Sequence, residues 1–184
     1  MNASHRTVRF ATIASSLLLL VVSCVVFARS SAAAPDSKRE RVSTPADIAA
    51  IRKVVDDFKA AIIGKNGKQL SALVLHSRIL FTSPGDQAQV DSERATDINF
   101  DGVGVGGFGQ FAKFITTAKE AIEEKFHNVE ITQDGPVAWV MFDYEFYVDG
   151  KMTNYGVENW QLRKTDGKWK IFSVVWSKHL PGKS

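Results

Sequence analysis

The chain has 184 residues, enough for one domain with a proper core. Its 23 basic residues outnumber its 20 acidic ones only through Arg6, Arg9 and Arg29, which share the first 34 positions with no acid, so the rest is balanced. That balance argues against a basic nucleic-acid-binding face. The single cysteine, Cys24, lies in the same stretch, which leaves the remainder without a disulfide, a thiol nucleophile or a cysteine metal site.

The first element is a targeting segment. Arg6 and Arg9 precede an apolar run from Ala11 to Ala28, and Ser30-Ser31-Ala32-Ala33-Ala34 follow it. A basic start, an apolar middle and a small-residue exit describe a signal peptide over 1–34. The expected mature protein begins between Ala33 and Asp36 and is exported, periplasmic or secreted. Two alternatives compete with cleavage. Val21-Val22-Ser23-Cys24 resembles a lipid-attachment box, although the apolar run continues past Cys24, and an uncleaved segment would be the chain's only attachment to a membrane.

Residues 35–43 are polar and charged and read as a flexible lead-in to a domain over 44–180. Thr44-Pro45-Ala46-Asp47 starts a helix, with Ile48, Ile51, Val54, Val55, Phe58 and Ile62 at helical spacing and Gly64 at its end. Asn66-Gly67 opens a short second helix carrying Leu70, Leu73 and Val74. Ile79 to Thr82 reads as a strand, closed by Ser83-Pro84-Gly85-Asp86, and a long loop follows. A third helix is expected over Gln110 to Glu124, with Phe111, Phe114, Ile115, Ala118 and Ile122 on one stripe. After His127 the period changes to two. Strands over 128–133, 137–148, 151–164 and 168–177 are separated by Asp134-Gly135, Asp149-Gly150 and Asp166-Gly167, which are strong hairpin signals.

The loop before the third helix contains Gly102-x-Gly104-x-x-Gly107, the spacing of a dinucleotide-binding fingerprint. That fingerprint needs a preceding strand and a parallel unit closed by an acid on the next strand. The segment before it is polar, and everything after it is antiparallel. The motif is therefore read as a coincidence within a loop, and no cofactor is expected.

"NWQLRKTDGKWKIFSVVWS" (159–177) and "ILFTSPG" (79–85) resemble the closing hairpin and first strand of the nuclear-transport-factor-2-like (NTF2-like) superfamily, particularly its SnoaL-like branch. The resemblance implies an α+β fold, a cone-shaped barrel of three N-terminal helices packed on a curved, mostly antiparallel sheet, with a pocket between them and frequent dimers. It also implies a departure from the ketosteroid isomerases of that superfamily. Their catalytic aspartate corresponds to Ser83, and their helix-one tyrosine falls in the neighbourhood of Phe58 and Lys59.

Two-residue turns at Asp149-Gly150 and Asp166-Gly167 set a trial register. One face then holds Ala138, Val140, Phe142, Tyr144 and Phe146 with Tyr155, Val157, Phe172, Val174 and Trp176. The other holds Trp139, Met141, Asp143, Glu145 and Tyr147 with Asn154, Glu158, Trp160, Leu162, Trp169 and Ile171. Both are too apolar for water, so one is expected to form a homodimer through Phe142, Tyr144 and Trp176. The mixed face is the expected pocket wall, with Trp139, Tyr147, Trp160, Glu145 and Asn154 as ligand-binding residues for a small apolar organic molecule. In this register Asp143 lies opposite Gly156 and diagonal to Glu158. Glu158, oriented by Asp143 and served by His76 at the mouth, is the candidate acid or base of a cofactor-free lyase, isomerase or hydrolase. Plainer readings stand beside each choice. Strand carboxylates are commonly solvated or paired, and a histidine ending a helix commonly suits the dipole. No two histidines are spaced as metal ligands. A domain used only for association is the third functional class.

Overall fold

The computed structural model describes residues 40–104 and 106–182. The proposed signal segment and the lead-in as far as residue 39 lie outside them.

Helix α1 (Pro45–Ile63) starts where capping chemistry directs: Thr44 Oγ1 accepts from Asp47 N at 3.1 Å, and Pro45 occupies the first turn. It buries Ile51, Val54, Val55, Phe58, Ala61 and Ile62. Helix α2 (Gly67–Leu73), capped by Asn66, buries Leu70 and Leu73. Strand β1 (Leu80–Thr82) follows.

Three expectations change here. The supposed long loop contains helix α3 (Gln87–Arg94), which buries Val90 and carries no hydrophobic stripe in its sequence to announce it. Helix α4 (Phe108–Thr117) is shorter than expected and stops at Ala118, whose backbone is extended. Thr116 and Thr117 turn their hydroxyls back onto the carbonyls of Ala112 and Lys113 at the helix end. Strand β2 (Ile122–Asp134) consequently begins inside the segment expected to be helical. The last residues of the lead-in are also tied down: Val42 N donates to Asp134 Oδ1 at 3.1 Å, and Gly135 N donates to the Val42 carbonyl at 2.7 Å.

Strands β3 (Val137–Val148), β4 (Lys151–Thr165) and β5 (Lys168–Trp176) complete one five-stranded sheet in the order β1-β5-β4-β3-β2. It is antiparallel except for β1, which runs parallel to β5. Asp149-Gly150 and Asp166-Gly167 all have positive φ, between 48° and 73°, as two-residue type I′ turns require. Val148 pairs with Lys151 and Thr165 with Lys168, as the turns predict.

The registers then slip. One bulge, between the pairs Phe146–Asn154 and Tyr147–Met152, leaves Thr153 extra on β4. Another, between the pairs Gln161–Ser173 and Leu162–Ile171, leaves Phe172 extra on β5. Each exchanges the faces of one strand relative to its neighbour. Glu158 therefore opposes Phe142, and Asp143 opposes Val157. The inner face carries Ala138, Val140, Phe142, Tyr144, Trp160, Leu162, Trp169, Ile171 and Val174, packed with α1, α2 and α4 residues into one core.

Fully buried Trp160 is central to this core, with ring centroids 4.8 Å from Phe58, 5.0 Å from Phe142 and 5.7 Å from Phe126. At one end, Asp47 ties α1 to the sheet. It accepts from Lys164 Nζ at 2.6 Å, Trp169 Nε1 at 3.0 Å and Gln133 Nε2 at 3.1 Å.

Candidate functional site

At the other end of the inner face, helices and sheet enclose a cavity of about 240 Å³. Its apolar wall is aromatic, formed by Phe58, Phe81, Phe111, Phe114, Phe146 and Trp176. Phe81 links the wall, with ring centroids 5.0 Å from both Phe111 and Trp176. The volume lies just below the range of about 300–1,000 Å³ usual for drug-sized ligands, which suits a molecule of one or two rings.

The polar lining contains two acids, Glu124 from β2 and Glu158 from β4, only 5 % and 6 % exposed. Alternation places each on the inner face of its strand: Ile122 and Glu124 on β2, Glu158, Trp160 and Leu162 on β4. The two carboxyl groups interact with each other, and Trp160 Nε1 donates to Glu158 Oε2 at 2.6 Å. Neither has a salt-bridge partner among the described residues.

Burial pushes the Glu124 carboxyl well above the ordinary carboxylate range, and the adjacent Glu158 pushes it further. Burial also raises Glu158, to about 7, against the opposing pull of the donors Trp160 and Glu124. The pair thus retains a proton near neutrality.

Tyr144 Oη lies 3.0 Å from Asn154 Oδ1 and 2.9 Å from the Ser177 carbonyl. Its own burial, followed by the nearby Glu158 and Glu124, raises the phenol above its ordinary value. Ser83 also lines the cavity, so the position matching the isomerases' aspartate faces the site with a hydroxyl. Among the described residues, no group of three or more His, Cys, Asp and Glu side chains is arranged to hold a metal ion.

Of the residues singled out from sequence, Glu158 and Asn154 line this cavity. Trp160 stands behind it, holding Glu158, and does not line it. Asp143 is on the opposite face and accepts from Asn128 Nδ2 at 2.6 Å, so it does not orient Glu158. The space expected beside Gly156 is filled by Ser177, whose carbonyl oxygen a side chain at that position would overlap. Glu145 and Tyr147 bond to each other at 2.9 Å on that outer side, with His127 Nε2 3.6 Å from Glu145. Trp139 is outside the cavity and 37 % exposed.

His76 accepts from the backbone N of Arg78 and is exposed. It follows Val74, which bridges Ile171, five residues and roughly 17 Å of strand from the Trp176 end where the cavity lies. Phe142 and Tyr144 are buried in the chain's own core, and Trp176 lines the cavity, so these three do not form a free sheet face. Glu124 was missed because an acid at an inward strand position looks like a solvated helix residue. The alternation of Ile122, Glu124 and Phe126 was its available signal.

The glycine loop has a structural role. Thr82 Oγ1 donates to the Gly104 carbonyl at 2.9 Å, and Gly85 N donates to the Gly102 carbonyl at 2.8 Å, pinning the loop to the end of β1. Among the described residues, the element before it is helix α3, not a strand.

This architecture is that of the NTF2-like, or cystatin-like, α+β fold. The chain is similar to an NTF2-like protein of unknown function from Pseudomonas putida KT2440, with a TM-score of 0.55, 10% identity and 74% of this chain covered against 89% of that one. It is similar to a candidate dehydratase of the NTF2-like family from Streptomyces avermitilis, with a TM-score of 0.53, 17% identity and coverage of 74% and 99%. A candidate scytalone dehydratase from Novosphingobium aromaticivorans gives a TM-score of 0.52, 17% identity and coverage of 73% and 85%. No protein-family model matches the sequence, and no curated protein sequence matches it significantly.

Proposed function

We propose that this protein is a cofactor-free acid–base enzyme acting on a small, largely apolar ring compound. The observation carrying this reading is the carboxyl pair, buried with no salt-bridge partner among the described residues and open to an aromatic cavity. A pocket that only bound an apolar molecule would gain nothing from two desolvated acids, which are costly to bury. Near neutrality the pair presents one base and one acid. Glu158 takes a proton from the ligand, and Glu124 gives one to a departing hydroxyl or to a neighbouring atom. These are the steps of a dehydration or an isomerisation. Fold-level likeness to candidate dehydratases supports the first.

The test is carboxylate titration by NMR of the wild type, Glu124→Gln and Glu158→Gln. Two raised macroscopic steps are expected in the wild type and a single raised step in each variant. Two side chains titrating near 4.5 would overturn the reading.

Export, proposed from the N-terminal pattern, would place this chemistry outside the cytoplasm. Homodimerisation is proposed through the outer sheet face, where Trp139, Met141, Tyr155 and Val157 are exposed. Light scattering should show a dimer that Trp139→Glu weakens. A monomeric wild type at micromolar concentration would remove the proposal.

A further inference from the structure

The cavity's polar groups lie in two places. Glu124 and Glu158 belong to the buried wall, whereas Ser83 and Lys178 follow the ends of β1 and β5. These strands are parallel, with Thr82 beside Val175, so Ser83 and Lys178 emerge at the same end of the two strands.

The backbone on either side of Lys178 is fixed. Ser177 N donates to the Val157 carbonyl at 3.0 Å, and Val157 N donates to Ser177 Oγ at 3.0 Å. His179 and Tyr155 exchange backbone bonds of 2.8 and 3.1 Å. The Ser177 carbonyl also meets the Tyr144 hydroxyl, and Gly156 leaves room for that close approach. The Lys178 side chain itself is exposed, borders the cavity and has no carboxylate partner among the described residues. Among the described residues that line the cavity, it is the only cation.

An unpaired ammonium at the edge of an aromatic, low-dielectric cavity attracts an anion. The buried wall repels one, because its groups are carboxyls. A ligand that satisfies both ends has its charge outward and its ring inward.

We infer that the cavity takes a planar one- or two-ring carboxylate, its ring against Phe81, Phe111 and Trp176 and its carboxylate on Lys178, which sets specificity. This rests on the acid–base reading only for what Glu158 does to the ring. Anchoring by Lys178 does not require that chemistry.

Calorimetric titration with 2-naphthoate and its neutral counterpart 2-naphthamide tests it. The wild type should bind 2-naphthoate about five-fold more tightly, the upper end for a partly exposed ion pair. Lys178→Gln should bind both alike, and Lys178→Arg should keep the preference. Equal binding by the wild type, a preference that survives Lys178→Gln, or no saturable binding of 2-naphthoate would each overturn the inference. Raised carboxyl titrations without a naphthoate preference would defeat this inference alone. A Lys178-dependent preference with ordinary carboxyl titrations would defeat the acid–base reading and leave the anchoring in place.

Discussion

Two carboxylates in this fold each accept an indole N–H, and their ionisation moves in opposite directions. Asp47 receives Trp169 Nε1 at 3.0 Å, and Glu158 receives Trp160 Nε1 at 2.6 Å. Lys164 adds an ammonium 2.6 Å from Asp47, whose hydrogen bonds, led by that one, lower its pKa to about 2. Glu158 has another carboxyl as its neighbour and is raised to about 7 by burial. The same tryptophan donor therefore serves a structural tie in one place and a proton-transfer candidate in the other. Burial and the sign of the nearest charge decide between them.

Removing the second tryptophan should give the largest effect. Trp160→Ala empties a fully buried site among Phe58, Phe126 and Phe142, and should cost about 3–5 kcal/mol in denaturant unfolding. A loss below about 1 kcal/mol would show that this ring is not the centre of the core.

The next largest effect is on stability against pH, where the two acids should act on opposite limbs. Glu158 has a folded value above its ordinary 4.5, so the folded chain holds the proton more tightly between 4.5 and about 7. Its stabilising contribution is complete below that window and is lost as pH rises through it. Glu158→Gln should flatten this decline. Asp47 has the reverse sign: its contribution is present above its ordinary 3.8 and is lost as pH falls toward about 2. Asp47→Asn should flatten only that acid limb. Urea midpoints measured across pH check both, and an Asp47→Asn effect confined to the neutral limb would break the comparison. The smallest effect is the change in oligomer population on Trp139→Glu, because that exposed residue is one of several on the outer face.

The two acids also differ in how legible they were. Asp47 sits in a capping sequence, and its place at the start of α1 followed from Thr44-Pro45 and the local need to satisfy helix N–H groups. Its contacts with Lys164 and Trp169, 117 and 122 residues away, have no local signature. Glu158 was picked out among aromatic strand residues, but its partner was assigned as Asp143 through a regular register. The bulge at Thr153 changed that register without leaving a glycine or proline to mark it. The actual partner, Glu124, lay in a stretch whose helical stripe continued from α4 past the true helix end at Thr117.

By itself, the sequence determined the elements whose causes are local. These are the capped start of α1, the Asn66-capped α2, the short β1, and the β3–β4 and β4–β5 hairpins, whose Asp-Gly turns need positive φ. Its resemblance to NTF2-like proteins extended this to the α+β architecture. Tertiary structure alone decided which side of each strand met the helices, because a single extra residue reverses every side chain beyond it. It thereby brought Glu124 and Glu158 together across a sheet from strands that do not pair, and sent Asp143 to the other face. Their raised pKa values follow from that meeting, since two adjacent buried carboxyls with no salt-bridge partner among the described residues cannot both ionise cheaply.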